Sequence, residues 1–309
     1  EHAEERSVVN PALRPANLRT TWRSAFERNA RTHLTTLRER GPEDADVNRD
    51  YAAPVAAQNL IDILGFRGVS VSVMQQWSHA LVSGISNLTD DADTWTRNDE
   101  AREAIRALLD DLIPYYRSHP DGSIVSAFVA SELTRSQIDA NVGLIVSGGM
   151  NEPQHAITSA VWALDRDPEQ LARVRADPSL WSAVFDETVR WASPIGMYRR
   201  VTTRETVLEG ISIPAGAAVG VVVGAANRDP ALFEDPDRFD ITRPKRPHLA
   251  FGSGVHLCAG HWAARMGVGD VAIPLLFSEI PDLRVDTRRE SIWRGWFFRG
   301  LSTLPVTWS

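Results

Sequence analysis

Apolar residues recur at helical spacing through the first two thirds of the chain. Between Arg14 and Arg40, Leu18, Trp22, Phe26, Ala30, Leu34 and Leu37 fall three or four apart with charge between them, which predicts an amphipathic helix ended by Gly41-Pro42. The same periodicity predicts helices over 49–64, 70–85, 98–116 and 123–131. The longest candidate runs over 134–164, where Ile138, Val142, Ile145, Val146, Ile157, Val161 and Leu164 form a nearly continuous apolar pattern. Gly148, Gly149 and Pro153 interrupt it, and at about 1 kcal/mol per interior glycine and about 3 for proline a kink is expected there. Pro168 and Pro178 open two further helices, with Asp167 and Asp177 as N-caps. After Pro194 the texture changes to short β-branched runs at 200–207, 211–214 and 218–223, punctuated by Gly210 and Gly216. A loop-rich stretch then leads to a last helix from Ala259 to Phe277 and a terminal hairpin around Pro305, Val306 and Trp308. The pattern predicts a mainly α fold with a small β portion. It has a helical part at 1–193 and a mixed strand and loop part at 194–309, with no linker between them.

Composition narrows the functional classes. Of the 309 residues 43% are apolar and 24% charged, and the net charge of -7 argues against a nucleic-acid binder. No apolar run approaches the ~20 residues of a membrane span. Cys258 is the only cysteine, which excludes an intrachain disulfide and suits a reducing cytoplasm. Lys245 is the only lysine among 33 basic residues, a bias of codon usage rather than of function. The chain opens at Glu1 without methionine or leader pattern, and residues 1–10 read as helix.

Candidate chemistry concentrates around the lone cysteine, in Phe251-Gly252-Ser253-Gly254-Val255-His256-Leu257-Cys258-Ala259-Gly260. A glycine-rich turn ahead of a helix start offers amides and a partial positive charge to a thiolate. Gly260 leaves room for a flat ligand to approach. A buried structural cysteine and a nucleophile are the other readings, though His256 is poorly placed to act as base if the local chain is extended.

The segment resembles the haem-binding signature Phe-Gly-x-Gly-x-His-x-Cys-x-Gly of the cytochrome P-450 family of haem-thiolate monooxygenases, at all six fixed positions. The resemblance implies haem b, with Cys258 as axial ligand of the iron, Phe251 packed beside it and His256 on a propionate. Other segments resemble the family in the right order. Glu187-Thr-Val-Arg190 matches its Glu-x-x-Arg, Asn227-Arg-Asp-Pro230 follows, and Arg238 in Phe233-Glu-Asp-Pro-Asp-Arg238-Phe239 would complete a buried ion network. Pro194 and Arg200 match the strand whose arginine binds a propionate. The run from Glu1 to Arg6 resembles the family's His-x-x-x-Arg helix, which would bring His2 and Arg6 to the propionates. On that alignment about a hundred family residues would precede His2, so the chain is expected to be a fragment of one catalytic domain.

Over the haem the family carries an acid and an alcohol in its central helix. Here Gly148-Gly149-Met150-Asn151-Glu152-Pro153 puts Asn151 in the place of the acid and Glu152 in that of the alcohol. Either Glu152 organises the oxygen side through water, or it only bonds a neighbouring segment. The same six residues resemble a bacterial branch that O-demethylates guaiacol and related methoxylated aromatics. In that branch Leu144, Gly148, Ile195 and Phe298 would line a small apolar pocket, although each could also be ordinary core. Tyr198 and Arg199 are bulky where small residues are expected. Lys245, Arg246 and Arg265 would face an acidic redox partner, a ferredoxin or a flavin and iron–sulfur reductase drawing on NAD(P)H. A peroxygenase using hydrogen peroxide and a non-catalytic haem-binding module or sensor are the alternatives.

Overall fold

In the computed structural model residues 2–309 are described; Glu1, at the head of the first predicted helix, lies outside them. Besides the short turns Pro15–Asn17 and Val223–Ala226, the α-helices are α1 (His2–Val9), α2 (Arg23–Arg40), α3 (Ala53–Leu64), α4 (Val71–Ile85), α5 (Ala92–Ser118) and α6 (Ile124–Val129), then α7 (Arg135–Gly148), α8 (Asn151–Arg166), α9 (Pro168–Ala176), α10 (Trp181–Ala192), α11 (His261–Ala264) and α12 (Ile273–Glu279). Eight short strands form four antiparallel pairs. β1 (Tyr198–Val201) pairs with β4 (Ala218–Val221) and β2 (Thr206–Leu208) with β3 (Ile211–Ile213). β5 (Arg284–Val285) pairs with β8 (Val306–Thr307), and β6 (Ile292–Arg294) with β7 (Gly300–Thr303). This is the mainly α architecture with a small β portion that the hydrophobic pattern predicts.

Helix starts follow local chemistry. The side chains of Ser70, Asp91, Ser123, Asp167 and Asp177 each accept a backbone N–H of the following turn, and Thr134 with Gln137 forms a full capping box. The Asp91 cap lengthens α5 beyond the predicted 98–116, since a polar first turn needs no apolar periodicity once its N–H groups are satisfied. Before α3 and before α12 the chain winds as a π-helix, at Asn48–Ala52 and Arg265–Ala272. In both places a proline, Pro54 or Pro274, sits at the start of the following α-segment and lacks the N–H that would close the tighter turn. The predicted strand at 200–207 is two strands. Thr202 ends the first, its hydroxyl donating to Pro214 O at 2.6 Å and accepting from the Ala217 N–H at 2.9 Å.

The predicted kinked helix over 134–164 is likewise two helices, α7 and α8, separated by Gly149 and Met150. A Cβ on Gly149 would lie 2.6 Å from Leu60 Cδ1 and 2.7 Å from the Ile145 carbonyl oxygen, so only glycine fits where this break packs on α3. Pro153 falls in the first turn of α8, where no N–H is required. One buried apolar cluster runs through α2, α3, α7, α8, α10 and α12, with Val142, Val146, Ile157 and Val161 among its most buried members. Helices α7 and α8 therefore carry their break through the middle of the core, opposite the segment that holds Cys258.

Candidate functional site

The cysteine loop is built from the backbone outward. The Cys258 N–H donates to Phe251 O at 2.9 Å and the Gly252 N–H to Leu249 O at 2.9 Å, closing a compact turn. Gly252 and Gly254 adopt φ of 68° and 62°, a region that side chains with Cβ rarely enter. A buried amide holds the loop to α10: Asn227 Oδ1 accepts the Leu249 N–H at 2.7 Å, and its Nδ2 donates to Ser193 Oγ at 2.9 Å.

Behind Asn227 sits the buried Glu187–Arg190 pair. Arg190 is 2% exposed and uses all five donors: two on Glu187 at 2.7 Å, one each on the carbonyls of Asn227 (2.8 Å) and Pro236 (3.0 Å), and one on Arg238 O at 3.3 Å. The expectation for Arg238 is corrected here. Its side chain is exposed and only its carbonyl joins the network. Phe239 is the residue turned into the core, so its neighbour faces out. Arg243 takes the second position, with Nε 3.4 Å from Glu187 Oε1. It lies five residues further along, ahead of Pro244, and nothing in the spacing distinguished it from Arg238.

Cys258 opens into an apolar cavity of about 310 Å³. Gly260, Ala263, Ala264 and Gly267 form one wall beside the sulfur, all too small to obstruct a flat group. Across the cavity stand Gly148, Gly149 and Glu152 from the α7–α8 break, with Ile145 and Ile195. Burial pushes the Cys258 thiol above its ordinary value, and the backbone N–H groups of Gly260 and His261 offset this only in part. Helix α11 runs on through Arg265–Ala272 into α12, so the expected helix start is present and its amides favour the thiolate, but burial outweighs them. A metal ion bound at the sulfur would add positive charge that favours the thiolate, and the flat, small-residue wall fits a metal-bearing macrocycle.

Glu152 is the other titratable group of consequence. Its Oε2 is buried with no hydrogen-bond partner, and burial pushes its carboxyl up to about 8. Tyr198 also lines the cavity and is pushed up to about 12 by burial, with the charges of Cys258 and Glu152 adding to the effect.

The remaining predicted residues fall unevenly. Arg6 Nη2 donates to Leu257 O at 2.8 Å and the His2 ring lies 4.7 Å from that of His256, so α1 is seated on the cysteine loop 251 positions away in sequence. The Phe251 ring stacks on Phe185 at 6.2 Å. Arg200 is exposed, donating to Arg199 O and lying 5.5 Å from the Tyr198 ring. Asn151 is buried but does not line the cavity, because its side chain leaves α8 about 100° around the axis from Glu152. Two pocket expectations are corrected. Leu144 is 67% exposed, and it is Ile145, one step around α7, that faces the cavity. Phe298 is joined to Ile195 by a backbone bridge but does not line the cavity, whereas Ile195 does.

Comparison with known proteins decides the family. A family model described as "Cytochrome P450" matches residues 93–276. The chain belongs to the cytochrome P450 family. It is 33% identical over 276 residues to Cytochrome P450 107B1 of Saccharopolyspora erythraea, covering 86% of this chain and 65% of that protein. With the Biotin biosynthesis cytochrome P450 of Bacillus subtilis it shares 31% over 312 residues, 99% of this chain and 78% of the relative. The chain thus spans about two thirds to four fifths of the length of these relatives. The solved structure of P450BioI in complex with an acyl carrier protein bearing hexadec-9Z-enoic acid superposes with a TM-score of 0.91 at 28% identity, over 100% of this chain and 79% of that one. Among the described residues of this P450 no helix is long and apolar enough to cross a membrane.

Proposed function

We propose that this P450 chain is the catalytic body of a haem-thiolate monooxygenase that inserts one oxygen atom of dioxygen into a C–H bond of a small organic substrate. The observation that carries the reading is the placement of Cys258 in a closed, glycine-bearing turn facing an apolar cavity with Glu152 on its far side. Haem b, ligated by Cys258, would supply the binding and reductive splitting of dioxygen. The rest is work for the chain. Gly260, Ala263, Ala264 and Gly267 leave a flat wall for the macrocycle, and Phe251 with Gly252 shapes the loop under it. His2, Arg6, His256 and Arg200 are the hydrogen-bond donors proposed for its carboxylates. The buried network of Glu187, Arg190 and Arg243 fixes the loop through Asn227. Gly148 and Gly149 open the wall on the oxygen side, where Glu152 is the group able to hold or give a proton.

Reduction with dithionite under carbon monoxide tests this reading. A red-shifted Soret band of a thiolate-ligated carbonyl is expected, and its loss in Cys258→Ser. Haem-loaded protein without that band would overturn it.

For the substrate we propose a methoxylated aromatic that loses its methyl group as formaldehyde. The support is the apolar wall at Gly148 and Ile195. Formaldehyde release from a methoxyarene panel tests it, and turnover of aliphatic substrates alone would replace it. Electrons are proposed to come from NAD(P)H through a ferredoxin or flavin and iron–sulfur reductase at the face carrying Lys245, Arg246 and Arg265, in a cytoplasmic setting. A second reading, direct use of hydrogen peroxide, is favoured by one observation: a carboxyl stands at the oxygen side. Turnover with peroxide and no reductase separates the two.

A further inference from the structure

Five of the buried side-chain polar atoms that lack a hydrogen-bond partner among the described residues belong to α8 or to α10 packed on it: Glu152 Oε2, Gln154 Oε1, His155 Nδ1, Ser159 Oγ and Thr188 Oγ1. Leaving a buried donor or acceptor unmatched costs about 1–3 kcal/mol, so a cluster of them marks bonds the protein makes in another side-chain arrangement or with water. Two of the five are one turn apart on one face. Glu152 and His155 are spaced i, i+3, which puts their Cβ atoms about 5–6 Å apart. Side chains on a helix lean towards its N-terminus, a direction that brings the turn bearing Glu152 within reach of the His155 ring.

The ring is also clamped. A Cβ on Gly300 of β7 would fall 2.3 Å from His155 Cγ and 2.4 Å from Nδ1, so strand and imidazole are in close contact and the ring has little room to swing. Glu152, with three rotatable bonds and an edge on the cavity, is the adjustable partner. The two ends are complementary. Burial holds Glu152 as the neutral acid and pushes His155 down to about 4, as the neutral base. Around them, Tyr198 and Cys258 are the titratable groups that face Glu152 across the cavity, and the Leu301 backbone is the polar group against His155.

We propose that His155 is the positioning residue of the Glu152 carboxyl: its Nδ1 accepts the carboxyl O–H directly and so fixes which carboxyl oxygen faces the cavity. The bond satisfies two of the orphaned atoms at once. It turns the carbonyl oxygen of the acid, an acceptor, towards whatever ligand occupies the oxygen side. The inference rests on the site reading above only for naming that side; the bond itself is a property of the chain.

Infrared spectroscopy of the full chain at pH 6 reads the bond without any turnover. The protonated carboxylic acid band is assigned to Glu152 by its disappearance in Glu152→Gln. The expected result is a shift of that band to higher wavenumber in His155→Leu and its retention near the original position in His155→Gln, which keeps an acceptor. An unmoved band in His155→Leu, or no band lost in Glu152→Gln, overturns the proposal. Because His155→Leu disturbs the contact with Gly300, a second measurement leaves that contact intact. The Nδ1 resonance of ¹⁵N-labelled His155, assigned by its absence in His155→Gln, is expected to move in Glu152→Leu. A resonance unchanged in Glu152→Leu also overturns it. Neither readout depends on Cys258 ligation, so failure here leaves the carbon monoxide test standing, and the reverse holds as well.

Discussion

Replacing Arg190 by leucine tests the link between the buried ion network and the cysteine loop. The substitution keeps bulk but removes the five hydrogen bonds to Glu187, Asn227, Pro236 and Arg238. Glu187, 5% exposed, would keep only the Asp240 N–H at 2.9 Å and the longer contact to Arg243. Removing one partner of a buried pair costs about 3–5 kcal/mol, and here only the longer Arg243 contact is left to balance the Glu187 charge. The orphaned Asn227 carbonyl adds about 1 kcal/mol or more. Against a typical total stability of about 5–15 kcal/mol this is a large fraction. Urea unfolding with a shared m-value should therefore show a loss of about 4 kcal/mol or more for Arg190→Leu. The companion Glu187→Leu/Arg190→Leu double variant should be less destabilised than the sum of the singles, since it removes both charges. Arg243→Ala should lower stability measurably and Arg238→Ala should not. A loss below 1 kcal/mol for Arg190→Leu, or Arg238→Ala exceeding Arg243→Ala, would refute the network as described.

Three further outcomes follow from the site. Gly149→Ala forces a Cβ against the Ile145 carbonyl and Leu60, and a cost of about 1–3 kcal/mol is expected from thermal unfolding, despite alanine's better helix propensity. Glu152 has its folded value raised to about 8 from 4.5, so the folded state binds more protons than the unfolded one between those values; stability should fall as pH rises through that window, and Glu152→Gln should flatten the fall. His155 has its folded value lowered to about 4 from 6.5, so its share of stability is present above 6.5 and is lost as pH falls towards 4; His155→Gln should flatten that limb, as denaturant midpoints across pH would show.

Most of the architecture was legible because the chain marks its helices redundantly. Apolar spacing, caps at Asp167 and Asp177 and prolines in first turns all agree for α9 and for the 3₁₀ turn Pro178–Leu180 that leads into α10. What escaped the pattern is governed by contacts distant in sequence. The break between α7 and α8 is a full interruption because Leu60 of α3 packs into the space at Gly149, and no window around Gly149 contains Leu60. Arg243 and Arg238 are both arginines beside a proline- and acid-rich loop, and only the inward turn of Phe239 decides which of them reaches Glu187. Leu144 and Ile145 differ by one position, hence by about 100° of rotation, which is finer than apolar periodicity resolves when both residues are apolar.

The chemistry divides in the same way. Residue identity fixes that a cysteine follows a glycine-bearing turn, and the loop hydrogen bonds then hold its sulfur against the cavity. The ionisation of that sulfur is a collective property. The local turn alone predicts a thiolate, whereas burial by α7, α8 and the wall residues drives the free thiol the other way. The same burial that raises Cys258 raises Glu152, so a closed cavity with both groups charged and nothing between them would be strongly disfavoured. A cation on the sulfur removes half of that conflict, and a neutral carboxyl at Glu152 removes the other half. The site is therefore arranged for one positive centre at Cys258 facing one proton-bearing oxygen acid across an apolar gap, an electrostatic pattern that neither the cysteine loop nor the helix break produces on its own.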